Sequence, residues 1–163
     1  MTDNQEKFCS LMREYRTDLY RIAAGILRNH TDAEDAVSEM TCKAFANFHK
    51  LKSLESFKPW AIKILVNEAY NIAKKRGRVE PLDDTTDECM HTDMLEAYEL
   101  WNAVQLLDDE FRTPTILFYY EDMSIKEIGK ILSLPQGTVN SRLYRSREKL
   151  KKILASNGGC INE

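Results

Sequence analysis

Apolar residues recur at every third or fourth position through most of the chain, and this spacing is typical of helices that bury one side. The first such stripe covers residues 8–27 and the second covers residues 33–48. A third helix is predicted over residues 59–76, because Pro59 suits the first turn of a helix and Gly77 suits its end. No stretch alternates apolar and polar residues as a half-buried strand would, so the pattern predicts helices alone.

Capping signals mark two of the helix starts. Thr31, with Glu34 three residues later, predicts a capping box at the start of the second helix. Ser124 and Glu127 repeat the same arrangement near the end of the chain. In each pair the two side chains are expected to bond the backbone N–H groups that a helix start leaves unpaired.

A polar, acidic stretch separates two helical blocks. It has no apolar period, so we predict a flexible linker. In the second block Thr113 followed by Pro114 is the pattern of an N-cap and a first helical position. The predicted fold class is all-α, with two small helical domains, the first a three- to four-helix bundle, joined by this linker. The predicted boundaries are 1–76 for the first domain, 77–93 for the linker, 94–155 for the second domain and 156–163 for a disordered tail.

Charge is unevenly distributed along the 163 residues. The whole chain holds 23 Lys+Arg and 26 Asp+Glu, a net charge of −3. The net charge is +3 over residues 1–76, −10 over residues 77–110 and +4 over residues 111–163. Two basic blocks therefore flank an acidic segment, and they make a polyanion a candidate partner. The acidic segment either covers the basic faces when that polyanion is absent or serves only as a solvated linker.

Several functional classes are disfavoured by the sequence. It has no apolar run of 18 residues and no apolar segment near Met1, so we expect neither a membrane span nor a secretory signal. The four cysteines form no C-x-x-C pair, which argues against a zinc site or a disulfide framework and favours reduced thiols in the cytoplasm. A helical enzyme is the weakest alternative, because Cys89 and His91, its nearest candidates for a site, fall in the predicted linker.

The stretch "SIKEIGKILSLPQGTVNSRLYRSREKL", residues 124–150, has the pattern of a helix-turn-helix. A short first helix ends at a tight "SLP" connection, and Gly129 provides the small residue that a close helix crossing needs. The second helix is predicted to start near Pro135 and to present polar groups suited to base edges in a major groove. These groups are Gln136, Thr138, Asn140, Ser141, Tyr144 and Arg145, with Arg142, Arg147 and Lys149 placed for phosphates.

These motifs together resemble the extracytoplasmic function (ECF, group IV) sigma factors of bacterial RNA polymerase. The stretch "GTVNSRLYRSREKLKK" and the residues before it are similar to region 4 of that family. The stretch "DAEDAVSEMTCKAF" resembles region 2.2, and "FKPWAIKILVNEAYNIAKKRGR" resembles regions 2.3 and 2.4. The resemblance runs from about residue 7 to residue 154. It implies a transcription initiation factor that is not an enzyme and needs no ATP, cofactor or metal.

The resemblance also implies roles for residues of the first domain. Asp35, Glu39 and Lys43 are expected to bind the coiled-coil of the largest polymerase subunit, while Ser38 stands where relatives usually have glutamine. The loop at residues 50–56 would hold a base extruded from the promoter. The residues expected to contact the −10 element are Lys58, Trp60, Lys63, Asn67, Tyr70, Asn71 and Lys74, with Trp60 also a candidate for plain core packing.

In the second domain, region 4 would bind the −35 element and its apolar back would meet the polymerase flap. Asn140 stands where relatives usually have arginine or lysine, so a shifted −35 preference is expected, since arginine favours guanine and asparagine favours adenine. Asp108 replaces a common proline before these helices. The expected partners are core RNA polymerase, promoter DNA and a membrane-bound anti-sigma factor, and the free protein is expected to be a monomer.

A second interpretation is a stand-alone transcriptional regulator with a similar helix-turn-helix. Such a protein would need a receiver or ligand-binding domain, and residues 1–76 show no alternation of strands and helices. Binding to core polymerase separates the two interpretations, because a regulator has no need of it.

Overall fold

A computed structural model describes residues 1–77 and 92–158 and divides the chain into two compact units, Met1–Asp83 and Asp84–Glu163. Both units are helical, and the described ranges contain no β-strand, as the sequence predicted. None of the helices in these ranges is long and apolar enough to cross a membrane. Most of the predicted linker lies outside the described residues.

The first unit is a bundle of three helices, each packed against the other two. They are α1 (Asp3–Leu27), α2 (His30–Asn47) and α3 (Phe57–Arg76). The two predicted stripes contribute Leu19, Ile22 and Ile26 of α1 and Met40 of α2 to its core, and Leu65 of α3 is buried with them. Burial of these apolar faces is what holds the three helices together.

Aromatic side chains close one end of this bundle. The Phe8 ring of α1 makes edge contacts with Phe45, Phe48 and Phe57, at centroid distances of 5.3, 5.3 and 6.1 Å. Two 3-10 turns, Phe48–Lys50 and Leu54–Ser56, join α2 to α3 around this cluster. The loop is therefore attached to the core at both ends.

The start of α2 differs from the prediction. The capping box of Thr31 and Glu34 does not form, because α2 begins at His30 and its N-cap is Asn29, whose side chain accepts a 2.9 Å hydrogen bond from the Asp32 amide. Asparagine caps a helix as well as threonine does, and here it comes two residues earlier. Only two residues consequently separate α1 from α2. The predicted end of α3 is confirmed, since Gly77 is its C-cap with a φ of 72°.

The second unit contains four α-helices and one π-helical segment within its described residues. They are α4 (Thr92–Gln105), α5 (Asp109–Thr115), the π-helical segment Ile116–Tyr120, α6 (Ile125–Leu132) and α7 (Gln136–Gly158). Thus α4 starts two residues inside the predicted linker, and α7 extends three residues into the segment predicted as a disordered tail.

The predicted helix start at Thr113–Pro114 is wrong. The helix α5 begins at Asp109 after the N-cap Asp108, and Pro114 lies inside it. A proline there has no N–H to donate and crowds the preceding turn, and the chain widens directly afterwards into the π-helical segment. The N-cap position thus falls on Asp108.

A buried arginine ties the start of α5 to the end of α4. Arg112 is 1% exposed, donates a 2.8 Å hydrogen bond from Nη1 to the Leu107 carbonyl and pairs through Nη2 with Asp109. From the other side Ser146 of α7 donates to the Phe111 carbonyl over 3.2 Å. These bonds hold the turn after α4, and α7, against α5, so the surface of α7 has a fixed support.

Candidate nucleic-acid interface

Short-range contacts fix both ends of α6 before the chain enters α7. The predicted capping box is confirmed: the Glu127 amide donates to Ser124 Oγ over 3.1 Å, and the Ser124 amide donates to Glu127 Oε2 over 3.0 Å. At the other end Ser133 has a left-handed φ of 55° and its amide bonds the Gly129 carbonyl. The direction in which α7 leaves the turn is therefore determined locally.

Gly129 is the position where the turn comes closest to α6. A Cβ atom added there would lie 2.8 Å from the Leu134 carbonyl oxygen. The Leu134 amide, in turn, donates to the Gly129 carbonyl over 2.9 Å. The sequence correctly indicated a need for a small residue, but the closest atom belongs to the turn and not to the second helix.

The helix α7 separates an apolar side from a polar side. Val139, Leu143, Ser146 and Leu150 are buried against the unit. The predicted base-reading residues lie away from this side, and all of them are exposed except Thr138, which is half-buried: Gln136, Asn140, Ser141, Tyr144 and Arg145. Tyr144 is 61% exposed. A row of hydrogen-bonding groups at the start of an exposed helix is suited to contact with base edges.

The three cations predicted for phosphates lie on the flanks of α7. The Arg142 guanidinium is 3.9 Å from Glu110 Oε2, and the Lys149 ammonium lies 5.1 Å from the centroid of the Phe111 ring. On the opposite flank Arg147 Nη1 donates to the Tyr119 hydroxyl over 3.0 Å. These side chains thus have neighbours within the unit.

An apolar groove of about 480 Å³ runs beside the same helix, between α4, the π-helical segment and α7. Its floor includes Leu100, Val104 and Leu150, and two cations, Arg147 and Lys151, lie at its edge. The remaining lining residues are Thr115, Tyr119, Tyr120 and Leu154. The sequence indicated an apolar back for this unit but not which residues form it.

In the first unit α3 gathers most of the predicted −10 residues on one side. Spacings of three, four and seven place six of them on a common face: Trp60, Lys63, Asn67, Tyr70, Asn71 and Lys74. All are exposed except Trp60, which is half-buried with its ring centroid 5.9 Å from that of Phe57. That packing agrees with the expectation of a core role for Trp60.

Two cations at the ends of α3 lie apart from this face. The Lys58 ammonium is 3.9 Å from Asp18 Oδ2 and 5.8 Å from the centroid of the Tyr15 ring, so it sits beside α1. Arg76 pairs with the buried Asp32 over 2.5 Å. Of the basic residues predicted on this helix, Lys63 and Lys74 are the two on the gathered face.

A second cavity, of about 520 Å³, lies next to this face between α2 and α3. From α3 it is lined by Trp60, Ile64, Asn67 and Glu68. Lys43, Asn47 and Lys50 line it from the side of α2 and the following turn. Because Lys43 is paired with Glu68, the groups that remain for a base with its phosphate are an apolar floor, two amides and the Lys50 cation. The sequence alone did not bring these groups together.

The residues predicted to bind polymerase form a row along α2. Asp35, Glu39 and Lys43 follow one another at intervals of four residues, and all three are exposed. The Lys43 ammonium bonds Glu68 of α3, which raises the pKa of Lys43; the negative charges of Glu68 and Glu39 act in the same direction. Glu68 was missed by the sequence reasoning, although its spacing from buried Ala61 and Leu65 places it on the inner side of α3 and signals a need for a partner.

The described residues form several surfaces that are suited to binding. Within residues 1–77 and 92–158 no three His, Cys, Asp or Glu side chains are grouped so that they could hold a metal ion. What the geometry provides is a polar helix face in each unit, a row of carboxylates on α2 and an apolar groove beside α7. Such features bind macromolecules.

Comparison with protein families finds two matches. The family description "Sigma-70 region 2" matches residues 11–79, and "Sigma-70, region 4" matches residues 98–150. Among characterised proteins, the chain is 30% identical over 141 residues to "RNA polymerase sigma factor SigV" of Bacillus subtilis, covering 85% of each chain. It is 28% identical over 169 residues to "ECF RNA polymerase sigma factor SigW" of the same organism, covering 93% of this chain and 90% of SigW.

Solved structures that share the fold include two complexes. One is the sigma factor RpoE in complex with the anti-sigma factor NepR from Bartonella quintana, with a TM-score of 0.79, 23% identity and coverage of 96% of this chain and 98% of the other. The other is CnrH in complex with the cytosolic domain of CnrY, with a TM-score of 0.70, 21% identity and coverage of 94% and 91%.

Proposed function

This chain belongs to the sigma-70 family, in its extracytoplasmic function group, and from that premise we propose that it binds core RNA polymerase and directs it to promoters through their −10 and −35 elements. The observation that carries this proposal is the presence of both sigma regions, in order, each with an exposed polar helix face in its own unit. A stand-alone regulator would account for the second unit alone.

The first unit is proposed to serve both polymerase and the −10 element. Asp35 and Glu39 offer adjacent exposed carboxylates to a basic surface on the largest subunit, and Lys43 continues their row. On α3, Asn67 can donate to and accept from the edge of an unpaired base, while Lys63 and Lys74 hold the backbone. Opening of the duplex then needs no ATP hydrolysis, because the unit binds the separated strand better than the duplex.

The cavity between α2 and α3 supports capture of an extruded base by the loop at residues 50–56. Lys50 begins this loop and lines the cavity next to Asn67. Extrusion costs a few kcal/mol of stacking, which contacts in such a pocket offset. Stacking on an aromatic ring is proposed for Tyr70, which is 38% exposed, rather than for Trp60, which packs on the core.

The second unit is proposed to bind the −35 element with the start of α7 in the major groove. The base contacts fall to Gln136, Asn140, Ser141, Tyr144 and Arg145, with Thr138 beside them. Asn140 would favour adenine at its position, since its amide can bond both N6 and N7 of that base. Phosphate contacts are proposed for Arg142 and Lys149. Arg147, which bonds Tyr119, is proposed to reach a phosphate only by leaving that partner.

The apolar groove beside α7 is proposed as the surface that meets the polymerase flap. Its floor is apolar, and it lies on the flank of α7 away from Arg142 and Lys149. A unit that binds DNA with one side of a helix can bind a second macromolecule with another side at the same time. The groove and the base-reading residues would then be occupied together in the initiation complex.

An anti-sigma factor is the proposed regulator. In one solved structure of this fold a sigma factor is bound to the anti-sigma factor NepR, and in another CnrH is bound to the cytosolic domain of CnrY, which supports a partner of the anti-sigma class here. We place the chain in the cytoplasm as a monomer and its partner in the membrane, where it would release the sigma factor upon an extracytoplasmic stress. Affinity purification after co-expression with candidate partners tests this part, and a free protein that is fully active in unstressed cells contradicts it.

Transcription by purified core polymerase on a library of randomised promoters tests the central proposal. Adding the protein should give transcripts from promoters that share two short elements about two helical turns apart or more. Core polymerase alone serves as the control. If the protein binds a defined duplex tightly by itself but never associates with core polymerase, the regulator interpretation replaces this one.

A further inference from the structure

One ion pair crosses the groove between α2 and α3. Lys43 and Glu68 both line the 520 Å³ cavity described above, and both also line a second cavity of about 460 Å³ further along the same groove. The second cavity is otherwise lined by Glu39, Asn71, Ile72, Lys74 and Lys75. The pair therefore stands where the proposed polymerase surface on α2 meets the proposed promoter surface on α3.

Lys43 has two carboxylates within its reach. Glu68 lies across the groove and is bonded to the Lys43 ammonium. Glu39 lies one turn earlier on α2, at the spacing at which a glutamate and a following lysine attract each other, and its charge contributes to the raised pKa of Lys43. No ion pair of the described residues engages Glu39. The ammonium thus goes to one carboxylate and leaves the other exposed.

Burial explains why Glu68 is the one that holds Lys43. The Glu68 side chain is only 11% exposed, whereas that of Lys43 is 52% exposed. A carboxylate removed from water needs a partner, and its attraction to a cation is little screened by salt. An exposed ion pair along one helix, such as Lys43 would form with Glu39, contributes much less to stability.

We infer that Glu68 is a positioning residue that keeps the Lys43 ammonium away from Glu39 and so leaves the Glu39 carboxylate free to bind a cationic surface of core polymerase. The inference rests on the proposed function, since it concerns the same polymerase surface. Glu68 lies on α3, the helix proposed to bind the promoter, and it would support polymerase binding without contacting polymerase.

A cycle of two substitutions tests this inference. Glu68→Gln keeps the size of the side chain and an acceptor but removes the charge, so Lys43 turns to Glu39 and competes with polymerase for it. The dissociation constant of the full-length protein for bacterial core RNA polymerase should rise about twofold to fivefold, the range expected for an exposed pair. In a Glu39→Gln background the same substitution should leave the dissociation constant unchanged, because Lys43 then has no acid to capture.

Glu14→Gln, an exposed acid on α1 with the same change of charge, is the matched control and should bind core polymerase as the wild type does. The loss caused by Glu68→Gln should also shrink at high salt, which screens an exposed pair. If Glu68→Gln does not fold, Glu68→Asp weakens the same pair and should give a smaller loss that again vanishes in the Glu39→Gln background.

The outcomes separate the inference from the proposed function. A wild-type protein that does not bind core polymerase overturns both. A wild-type protein that binds, together with a Glu68→Gln variant of equal affinity, overturns the inference alone. The inference is also overturned if Glu68→Gln lowers the affinity for core polymerase equally in the wild-type and Glu39→Gln backgrounds, because Glu68 would then have a general role in packing.

Discussion

Replacing Gly129 with alanine should destabilise the second unit, even though alanine is the better helix former. The substitution alone would favour the helix by about 1 kcal/mol. The added Cβ, however, would lie 2.8 Å from the Leu134 carbonyl oxygen, well inside ordinary contact distance. Overpacking against rigid groups costs about 1–3 kcal/mol. To relieve this clash the turn would have to move, and this would disturb the hydrogen bonds from the Ser133 and Leu134 amides to the Gly129 carbonyl. Subtracting the helix gain from this cost gives a net expected loss of up to about 2 kcal/mol.

Gly137 offers an internal comparison on the next helix. It lies in the first turn of α7, and a Cβ added there would meet no atom within 4 Å. Gly137→Ala should therefore stabilise the unit by about 0.5–1 kcal/mol. The two glycines are eight positions apart in the same motif, and the reasoning gives opposite signs for the same chemical change.

Urea denaturation measures both effects. Trp101 lies in the second unit and Trp60 in the first, so fluorescence of a Trp60→Phe background reports the unit that contains both glycines. Binding of −35 duplex by the Gly129→Ala variant shows whether the moved turn also tilts α7. A Gly129→Ala protein that gains the full helix propensity of about 1 kcal/mol over its parent would refute the clash at Gly129. A destabilised Gly137→Ala protein would refute the expectation that alanine is tolerated where the added Cβ meets no atom.

Three further expectations follow from the same contacts. Asn140→Arg should change which base is preferred opposite residue 140, with a discrimination of about 1–3 kcal/mol in promoter-library transcription. Asn157→Arg adds the same charge at the far end of α7 and should raise the affinity for all promoters alike. Arg112→Met should lower the free energy of unfolding by about 2–3 kcal/mol in urea, because the Leu107 carbonyl loses a charged donor, whereas the exposed Arg16→Met should change it little. The hydrogen bond to Glu68 raises the pKa of Lys43 above its ordinary value of 10.5. The contribution of this ion pair to the free energy of unfolding is therefore complete below pH 10.5 and is lost as the pH rises through the pKa of Lys43 in the folded protein. In urea denaturation between about pH 9 and pH 12, the wild type should accordingly lose more stability than Lys43→Met.

The helical blocks and the exposed faces were predictable from the sequence because they depend on local spacing. The stripe of α1, the capping box at Ser124 and the polar side of α7 all follow from residues within a few turns of each other. The general need for a small residue at Gly129 was also visible. Family resemblance then assigned these faces to polymerase, the −10 element and the −35 element, and those residue assignments stay predictions.

Contacts between distant residues could not be predicted in the same way. Lys43 and Glu68 are 25 positions apart, and Arg147 and Tyr119 are 28 apart. No periodicity connects such pairs, since their meeting depends on how helices pack. Competition between equal local signals caused the other errors. Asn29 and Thr31 are both good caps, and Pro114 is as compatible with a widened helix as with a helix start.

The π-helical segment at Ile116–Tyr120 gives the second unit a register that an ordinary helix would not have. Each widened turn holds one more residue than an α-helical turn, so the side chains that follow are rotated by about 100° from where continuous winding would put them. With the segment wound in this way, Tyr119 and Tyr120 line the groove beside α7. Removing a single residue from the segment would rewind the helix and turn both rings elsewhere. The shape of the groove is thus encoded in the number of residues before it, and a substitution scan, which keeps that number fixed, would not detect it.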